Sequence, residues 1–381
     1  MRIHIYPPSR CYHSMLDLII SPFVSSKKLD NFFNKWLKNK PYLYTYRARN
    51  AIYHILCYLK TNFHVTRVLV PSYICKEVIV PIKMAKLKTI FIDNDLKSLG
   101  VDLKSLHLKP NDVIIWPNLF GLKTPIPKNL NSKVFIIEDN ASSFQQPSPR
   151  ADFVIYSFGK GKEISSSEGG LVVINKKKFN GFLKETKLIP PKLWHEILRY
   201  FEYFFWRLKT YRPIYFFGKN IKLFLSWPKN KTVIKKEIEG NNFSICNISK
   251  KIAYQQLKQM SKLTQKSEKI ARFFIKELRK FEEISIIEPP KKSNYFCLNI
   301  FVKNRNSLRF FLENKQIFTS VPWEYLTKKI IGWKIHKNSS YILNHLLQFL
   351  IDPTYMNRED ILFIIKQIGE WQNGRSDYSR K

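Results

Sequence analysis

Between residues 138 and 170 the chain carries, in close succession, an acid pair, serines, two lysines in a glycine-bearing turn and a further acid beside two glycines. Glu138-Asp139-Asn140-Ala141-Ser142-Ser143 ends one apolar run, and Ser157-Phe158-Gly159-Lys160-Gly161-Lys162 ends the next. A hydroxyl, the backbone N–H groups of such a turn and an ammonium together make a place for a phosphate. The spacing is not the G-x-x-x-x-G-K-[ST] of a nucleotide P-loop. A carboxylate one strand away can hold a protonated ring nitrogen, and a lysine amine can add to a carbonyl carbon. Phosphate site, amine and acid side by side point to pyridoxal phosphate. One of the lysines would be its covalent anchor, and the acid would keep the ring protonated so that it accepts electrons.

Such groups have to be held at the ends of strands. From about residue 47 to 175 short apolar runs alternate with helical stretches, the pattern of an α/β layer with a largely parallel sheet. A helix is expected over 49–60. Strands are expected at Val68–Pro71, Thr89–Asp93, Asp112–Trp116, Val134–Asp139, Asp152–Ser157 and Gly170–Ile174. Each run is short and ends in a polar or turn residue, as strands buried on both faces do. Ligands of such sheets bind beyond the carboxyl ends of the strands, where the polar clusters lie. Further on, Ala253, Leu257, Met260, Leu263, Ile270, Phe274 and Leu278 recur at helical spacing and predict a helix over Ser249–Glu283. Strand-like Glu283–Ile287 and Tyr295–Val302 and helix-like Asn306–Glu313 and Arg358–Trp371 then suggest a small α+β domain. The expected organisation is a large domain over 1–240 and a smaller one over 241–381, with a polar, frayed tail after Gln372.

The block 138–170 resembles the DegT/StrS family of sugar-nucleotide aminotransferases, whose fold is type I of the pyridoxal-phosphate enzymes. The family pattern E-D-x-A, then D-x-x-x-x-S-F-x-x-x-K and [GS]-E-G-G, is similar to Glu138–Ala141, Asp152–Lys162 and Ser167-Glu168-Gly169-Gly170. By this resemblance Lys162 rather than Lys160 is the lysine that anchors the cofactor, Asp139 pairs with the pyridine nitrogen and Ser157 binds the phosphate. Family members that dehydrate sugars carry a histidine in place of this lysine, so Lys162 implies amino transfer. Ser142 stands where many members have glutamine.

Weaker likeness extends over most of the chain. Arg47–Ile52 corresponds to the helix start whose amides receive the phosphate, which brings Arg49 and Asn50 among the cofactor-binding candidates. Val70–Cys75 resembles the turn that covers one face of the ring. Cys75 sits where an aromatic residue often stacks, leaving Tyr73 as a substitute. Trp116–Gly121 and Leu350–Tyr355 match two further family stretches, whereas Ile245-Cys246-Asn247-Ile248-Ser249 departs from the N-x-R-M-S element that contacts the phosphate from a partner subunit. The resemblance implies a homodimer acting on a nucleotide-linked keto sugar, with an amino-acid donor.

Other chemistries lack their signatures. The 8 histidines form no H-E-x-x-H pair, and no metal is expected. No G-x-S-x-G elbow supports a hydrolase. The 5 cysteines make no C-x-x-C motif, which favours a reducing, cytoplasmic setting. His13, Asp17 and Pro22 interrupt the first apolar run, so the start is a poor secretory signal. The formal charge of +36 serves an acidic partner, a phospholipid surface or a phosphorylated ligand, or else reflects a compositional drift toward Lys, and no nucleic-acid-binding module is present. Over about 187–235 aromatic residues interleave with Lys and Arg. That segment reads either as an insertion packed on the protein or as an element lying on an anionic membrane, and its Pro213, Gly218 and Pro228 argue against one continuous helix.

Overall fold

The computed structural model describes residues 14–130, 133–210, 242–290, 293–327, 330 and 332–378. At its centre is a seven-stranded sheet of β1 (Tyr42–Thr45), β2 (Arg67–Pro71), β3 (Lys88–Ile92), β4 (Val113–Pro117), β5 (Phe135–Asn140), β6 (Phe153–Ser157) and β7 (Gly170–Ile174), in the order β1-β7-β6-β5-β4-β2-β3. β6, β5, β4, β2 and β3 run parallel. β7 lies antiparallel to both β6 and β1. The expected strand runs all fall within this sheet, with ends that differ by a residue. β1 is the strand of this sheet that sequence pattern missed, because its four residues, Tyr42-Leu43-Tyr44-Thr45, form neither an unbroken aliphatic run nor a clear alternation.

Alternation along each strand divides its side chains between two buried faces. On one face Val68, Val70, Val113, Ile115, Ile137 and Ile155 meet Ile52, Ile55, Leu56 and Leu59 of α3. On the other, Leu69, Ile114, Trp116, Ile136, Val154 and Tyr156 meet Leu29 and Phe33. Those last two come from α2 (Lys27–Trp36), which follows the short α1 (Met15–Ile20). The helix α3 spans Ala48–Phe63 and α4 spans Lys76–Met84. After the sheet come α5 (Gly181–Glu185), α6 (Leu193–Thr210) and the long α7 (Asn247–Leu278), which ends five residues before the expected Glu283.

A second, three-stranded antiparallel sheet has the order β10-β9-β8, from β8 (Ile284–Ile286), β9 (Cys297–Val302) and β10 (Leu346–Leu350). It is accompanied by α8 (Arg305–Asn314), α9 (Lys337–His345) and α10 (Arg358–Tyr378). Its core joins Leu298 and Ile300 to Ile361, Ile364 and Ile368 and to Ile270, Phe274 and Leu278 of α7. Ala253 and Leu257, at the other end of α7, belong to the core of the large sheet. α7 is thus shared by both cores. α10 runs on past Gln372 to Tyr378, where a frayed tail was expected. The expected boundary near 240 lies outside the described residues, as do residues 211–235 of the aromatic and basic segment.

Candidate active site

The carboxyl ends of β5 and β6 open onto a cavity of about 370 Å³, within the size range of small-molecule sites. β5 delivers Asp139, and the turn after it Ser142. β6 delivers Ser157, and its following turn Lys162. That turn is closed by the Lys162 N–H donating to the Gly159 carbonyl at 3.1 Å. A Cβ on Gly159 would lie 3.5 Å from the Ser157 Oγ and 3.9 Å from the Lys162 Cγ, in ordinary contact, so the glycine sits between hydroxyl and lysine.

Two acids end β5, and the structure separates their roles. Glu138 accepts from the Asn118 side-chain amide at 2.9 Å and from the Ser148 N–H at 2.7 Å, holding two loops together. Asp139 faces the cavity, 6% exposed, and accepts the Ala141 N–H at 2.8 Å. Burial pushes its carboxyl above the usual range, against the pull of that N–H and of the Lys162 charge. No ion pair to that carboxylate occurs among the described residues, and a protonated ring nitrogen would supply one. The same Lys162 charge opposes burial at Cys75, whose thiol is nonetheless raised. The Lys162 ammonium itself has no hydrogen bond or ion pair among the described residues. Lys160, two residues earlier, is held 2.5 Å from Oε1 of Glu202.

The phosphate end is shaped by two glycines. A Cβ on Gly170 would meet the Thr45 Oγ1 at 2.5 Å and the Ala48 N at 2.7 Å, so only glycine lets the first turn of α3 lie against β7. The first N–H groups of a helix have no partner within it and suit an anion. Ala48 and Arg49, at that helix start, are on the cavity wall. Gly169, at φ +150°, sits where a Cβ would approach the Ile245 Cδ1 to 2.4 Å. The Ile245–Ser249 stretch therefore packs on this turn within its own chain, and Ser249 shares a 2.6 Å hydrogen bond with Ser167. Deeper in α7, Gln256 accepts the Ser165 N–H at 2.8 Å and donates to the Glu163 carbonyl.

One wall is a chain of charges. Glu168 pairs with Arg47 at 2.7 Å and with Arg199, which also pairs with Glu202, which in turn holds Lys160. Burial acts to raise the Glu202 carboxyl, but Lys160 and Arg199 hold it below its usual range. Arg199 and Glu202 belong to α6, inside the aromatic and basic segment. Their three-residue helical spacing was the available signal.

Of the sequence candidates, Lys162, Asp139, Ser142, Ser157, Arg49 and Cys75 line the cavity. Arg49 also pairs with Glu77 at 2.5 Å. Asn50 and Tyr73 are off its wall. Asn50 is buried in the first turn of α3. Tyr73 is 1% exposed and spends its hydroxyl on the Pro322 carbonyl, so it does not take the stacking place suggested for it. Trp323, Arg47, Arg199 and Glu202 line the cavity without having been singled out. No group of three or more His, Cys, Asp or Glu side chains arranged to hold a metal occurs among the described residues.

Residues 219–331 match the model of the DegT/DnrJ/EryC1/StrS aminotransferase family. The sugar aminotransferase CalS13 from Micromonospora echinospora superposes with a TM-score of 0.68 at 13% identity, over 97% of this chain and 99% of that one. The GDP-4-keto-6-deoxy-D-mannose-3-dehydratase of Escherichia coli, solved with bound hydrated pyridoxal phosphate, gives 0.69 at 14% identity over 95% and 98%. A DegT/DnrJ/EryC1/StrS aminotransferase from Brucella abortus gives 0.66 at 16% identity over 94% of each chain. This chain has the fold of the sugar aminotransferases. No curated protein matches it by sequence. The resemblance read in residues 138–170 and the family match over 219–331 concern different parts of one chain and agree.

Proposed function

We propose that the chain is a pyridoxal-phosphate-dependent aminotransferase acting on a nucleotide-linked keto sugar, with an amino acid, glutamate by the family resemblance, as donor. The observation that carries this reading is the convergence of Lys162, Asp139 and Ser157 on one cavity at the carboxyl end of the sheet. The residues fit the cofactor. The start of α3 and Ser157 would hold its phosphate, Asp139 would balance the charge of its ring nitrogen, and Lys162 would anchor it covalently. Bound there, the cofactor supplies an electron sink for the carbon that loses a proton. The free amine of Lys162 would carry that proton away and return it, as base and then acid. The lysine, where sugar dehydratases of the resembling family have histidine, favours amino transfer. We place the activity in a homodimer of two-domain subunits in the cytoplasm, in the making of a polysaccharide or related glycan. The test is to add pyridoxal phosphate, record the visible spectrum, reduce with borohydride and map the labelled peptide. A visible band and a label on Lys162 support the reading, whereas no band or a label scattered over many lysines refutes it.

A second reading concerns the surface. Leu193, Trp194, Ile197, Leu198, Phe201 and Phe205 make an exposed apolar face on α6, near the exposed Leu16, Ile19 and Phe23. With a net charge of +36, this favours peripheral contact with an anionic membrane. No helix among the described residues is long and apolar enough to cross one. Co-sedimentation with phosphatidylserine vesicles, lost in high salt, is the expected result.

A further inference from the structure

Residues from 47 to 202 make almost the whole wall of the cavity. Among the described residues one side chain from later in the chain reaches it, that of Trp323. Its ring is braced from behind by Tyr73 at 4.9 Å and Phe120 at 5.1 Å between centroids. Trp323 and Phe120 both have φ near +55°, a left-handed conformation that bulky residues rarely adopt. Such strain persists where surrounding contacts over-determine it, and it gathers at ligand sites. Here the contacts are visible. The Tyr73 hydroxyl donates to the Pro322 carbonyl at 2.9 Å, and the Tyr325 hydroxyl accepts the Lys76 N–H at 2.8 Å, fixing the segment on both sides of Trp323. The indole N–H of Trp323 has no hydrogen bond among the described residues, whereas those of Trp116, Trp333 and Trp371 donate to protein oxygens. A rigid aromatic face and a spare donor therefore stand at a cavity in which Asp139, Ser157 and Lys162 are assigned to the cofactor.

We propose that Trp323 is the platform on which the sugar ring of the substrate lies, its indole N–H donating to a ring hydroxyl. This rests on the reading of the cavity as a sugar-nucleotide site. A pyranose has C–H groups on its faces and hydroxyls at its edge. The negative face of an indole attracts the former, and its N–H serves the latter.

The test is calorimetric titration of protein incubated with pyridoxal phosphate, using UDP-glucose, dTDP-glucose and GDP-mannose beside UDP, dTDP and GDP. At least one sugar nucleotide is expected to bind about tenfold tighter than its parent diphosphate. Trp323→Ala should abolish that gain and leave the affinity for the diphosphate unchanged. Trp323→Phe, which keeps a ring in the same bracing, should retain part of the gain and lose the share owed to the N–H. A gain that survives both substitutions, an equal loss for sugar nucleotide and diphosphate, or no sugar-dependent gain with any of the three pairs overturns the proposal. The visible spectrum separates this result from the cofactor assignment. Sugar-dependent binding without a cofactor band refutes pyridoxal phosphate and leaves the platform, while a band without sugar-dependent binding does the reverse.

Discussion

The Lys160 ammonium lies 2.5 Å from the Glu202 carboxylate, so of the two lysines in one turn Lys160 is the ion-paired one among the described residues. Both line the cavity, but Lys160 is tied to α6 while the Lys162 ammonium has no ion pair among the described residues. Lys162→Ala should lower turnover by about 10³-fold or more, since it removes both the anchor and the proton carrier. Lys160→Ala breaks a partly exposed pair and should cost no more than about 1 kcal/mol of stability, with turnover within a few-fold of wild type. Single-turnover kinetics and thermal unfolding of both variants check this. Equal loss of turnover in the two would contradict the division of roles.

Gly170 makes a prediction about geometry rather than chemistry. The atoms a Cβ would meet there include the Ala48 backbone N at 2.7 Å and the Arg47 backbone C at 2.7 Å, which cannot turn aside as a side chain can. Gly170→Ala should push the start of α3 away from β7, lower stability by about 2 kcal/mol and weaken cofactor binding. Gly161 is the comparison. It has φ +74° and nothing within 4 Å of a built Cβ, so Gly161→Ala should strain the turn without moving α3. Equilibrium titration with pyridoxal phosphate is expected to show the loss at position 170 and far less at 161.

Much of this was open to sequence reading, for reasons that differ by residue. Val68–Pro71 and Asp152–Ser157 show as strands because a parallel strand buried on both faces is a short unbroken apolar run. Tyr42–Thr45 does not, because its inward and outward residues are all tyrosine, leucine or threonine. Residues alone left Lys160 and Lys162 equivalent. The family spacing favoured Lys162, and Glu202 supplies a physical reason for the same preference. Tyr73 and Cys75 could not be separated by pattern, since which of two residues in a turn faces the cavity depends on the packing of Tyr73 against Trp323. Trp323 itself lies outside any periodic run and reaches the cavity through tertiary contacts alone.

Asp93 follows β3 and serves α9, more than two hundred residues later. It accepts the Asn338 N–H at 2.9 Å and the Ser339 N–H at 2.8 Å, the orphan donors of that helix start. Burial acts to raise its carboxyl, but these hydrogen bonds hold it below the usual range. A lowered folded value means that the contribution is full above the unfolded pKa, about 3.9, and is lost as pH falls through the folded one. Asp93→Ala should cost about 1–2 kcal/mol at neutral pH, the size of a lost helix cap. Asp93→Asn, which keeps an acceptor but not the charge, should cost less. The gap between wild type and Asp93→Asn in urea unfolding should be constant from pH 7 to 5 and narrow below about pH 4. A gap that widens on acidification would contradict the assignment.

Asp139 should behave in the opposite sense. Its carboxyl is raised by burial, so its contribution to stability is full below the unfolded pKa and is lost as pH rises through the folded one. Above that range the burial of this carboxyl is therefore a cost to the protein without cofactor. Asp139→Asn preserves the shape and can still accept the Ala141 N–H, so it should raise the unfolding temperature of the cofactor-free protein. The same substitution takes away the counter-charge for a ring nitrogen. A buried charge that loses its partner is worth about 3 kcal/mol or more, so turnover should fall by about 10²-fold or beyond, with weaker cofactor binding. Calorimetric scans with and without pyridoxal phosphate measure both effects on one protein. Stabilisation of the free form together with a smaller cofactor-induced rise is the expected pair. A variant less stable than wild type in both scans would mean that Asp139 serves the fold and not a ligand.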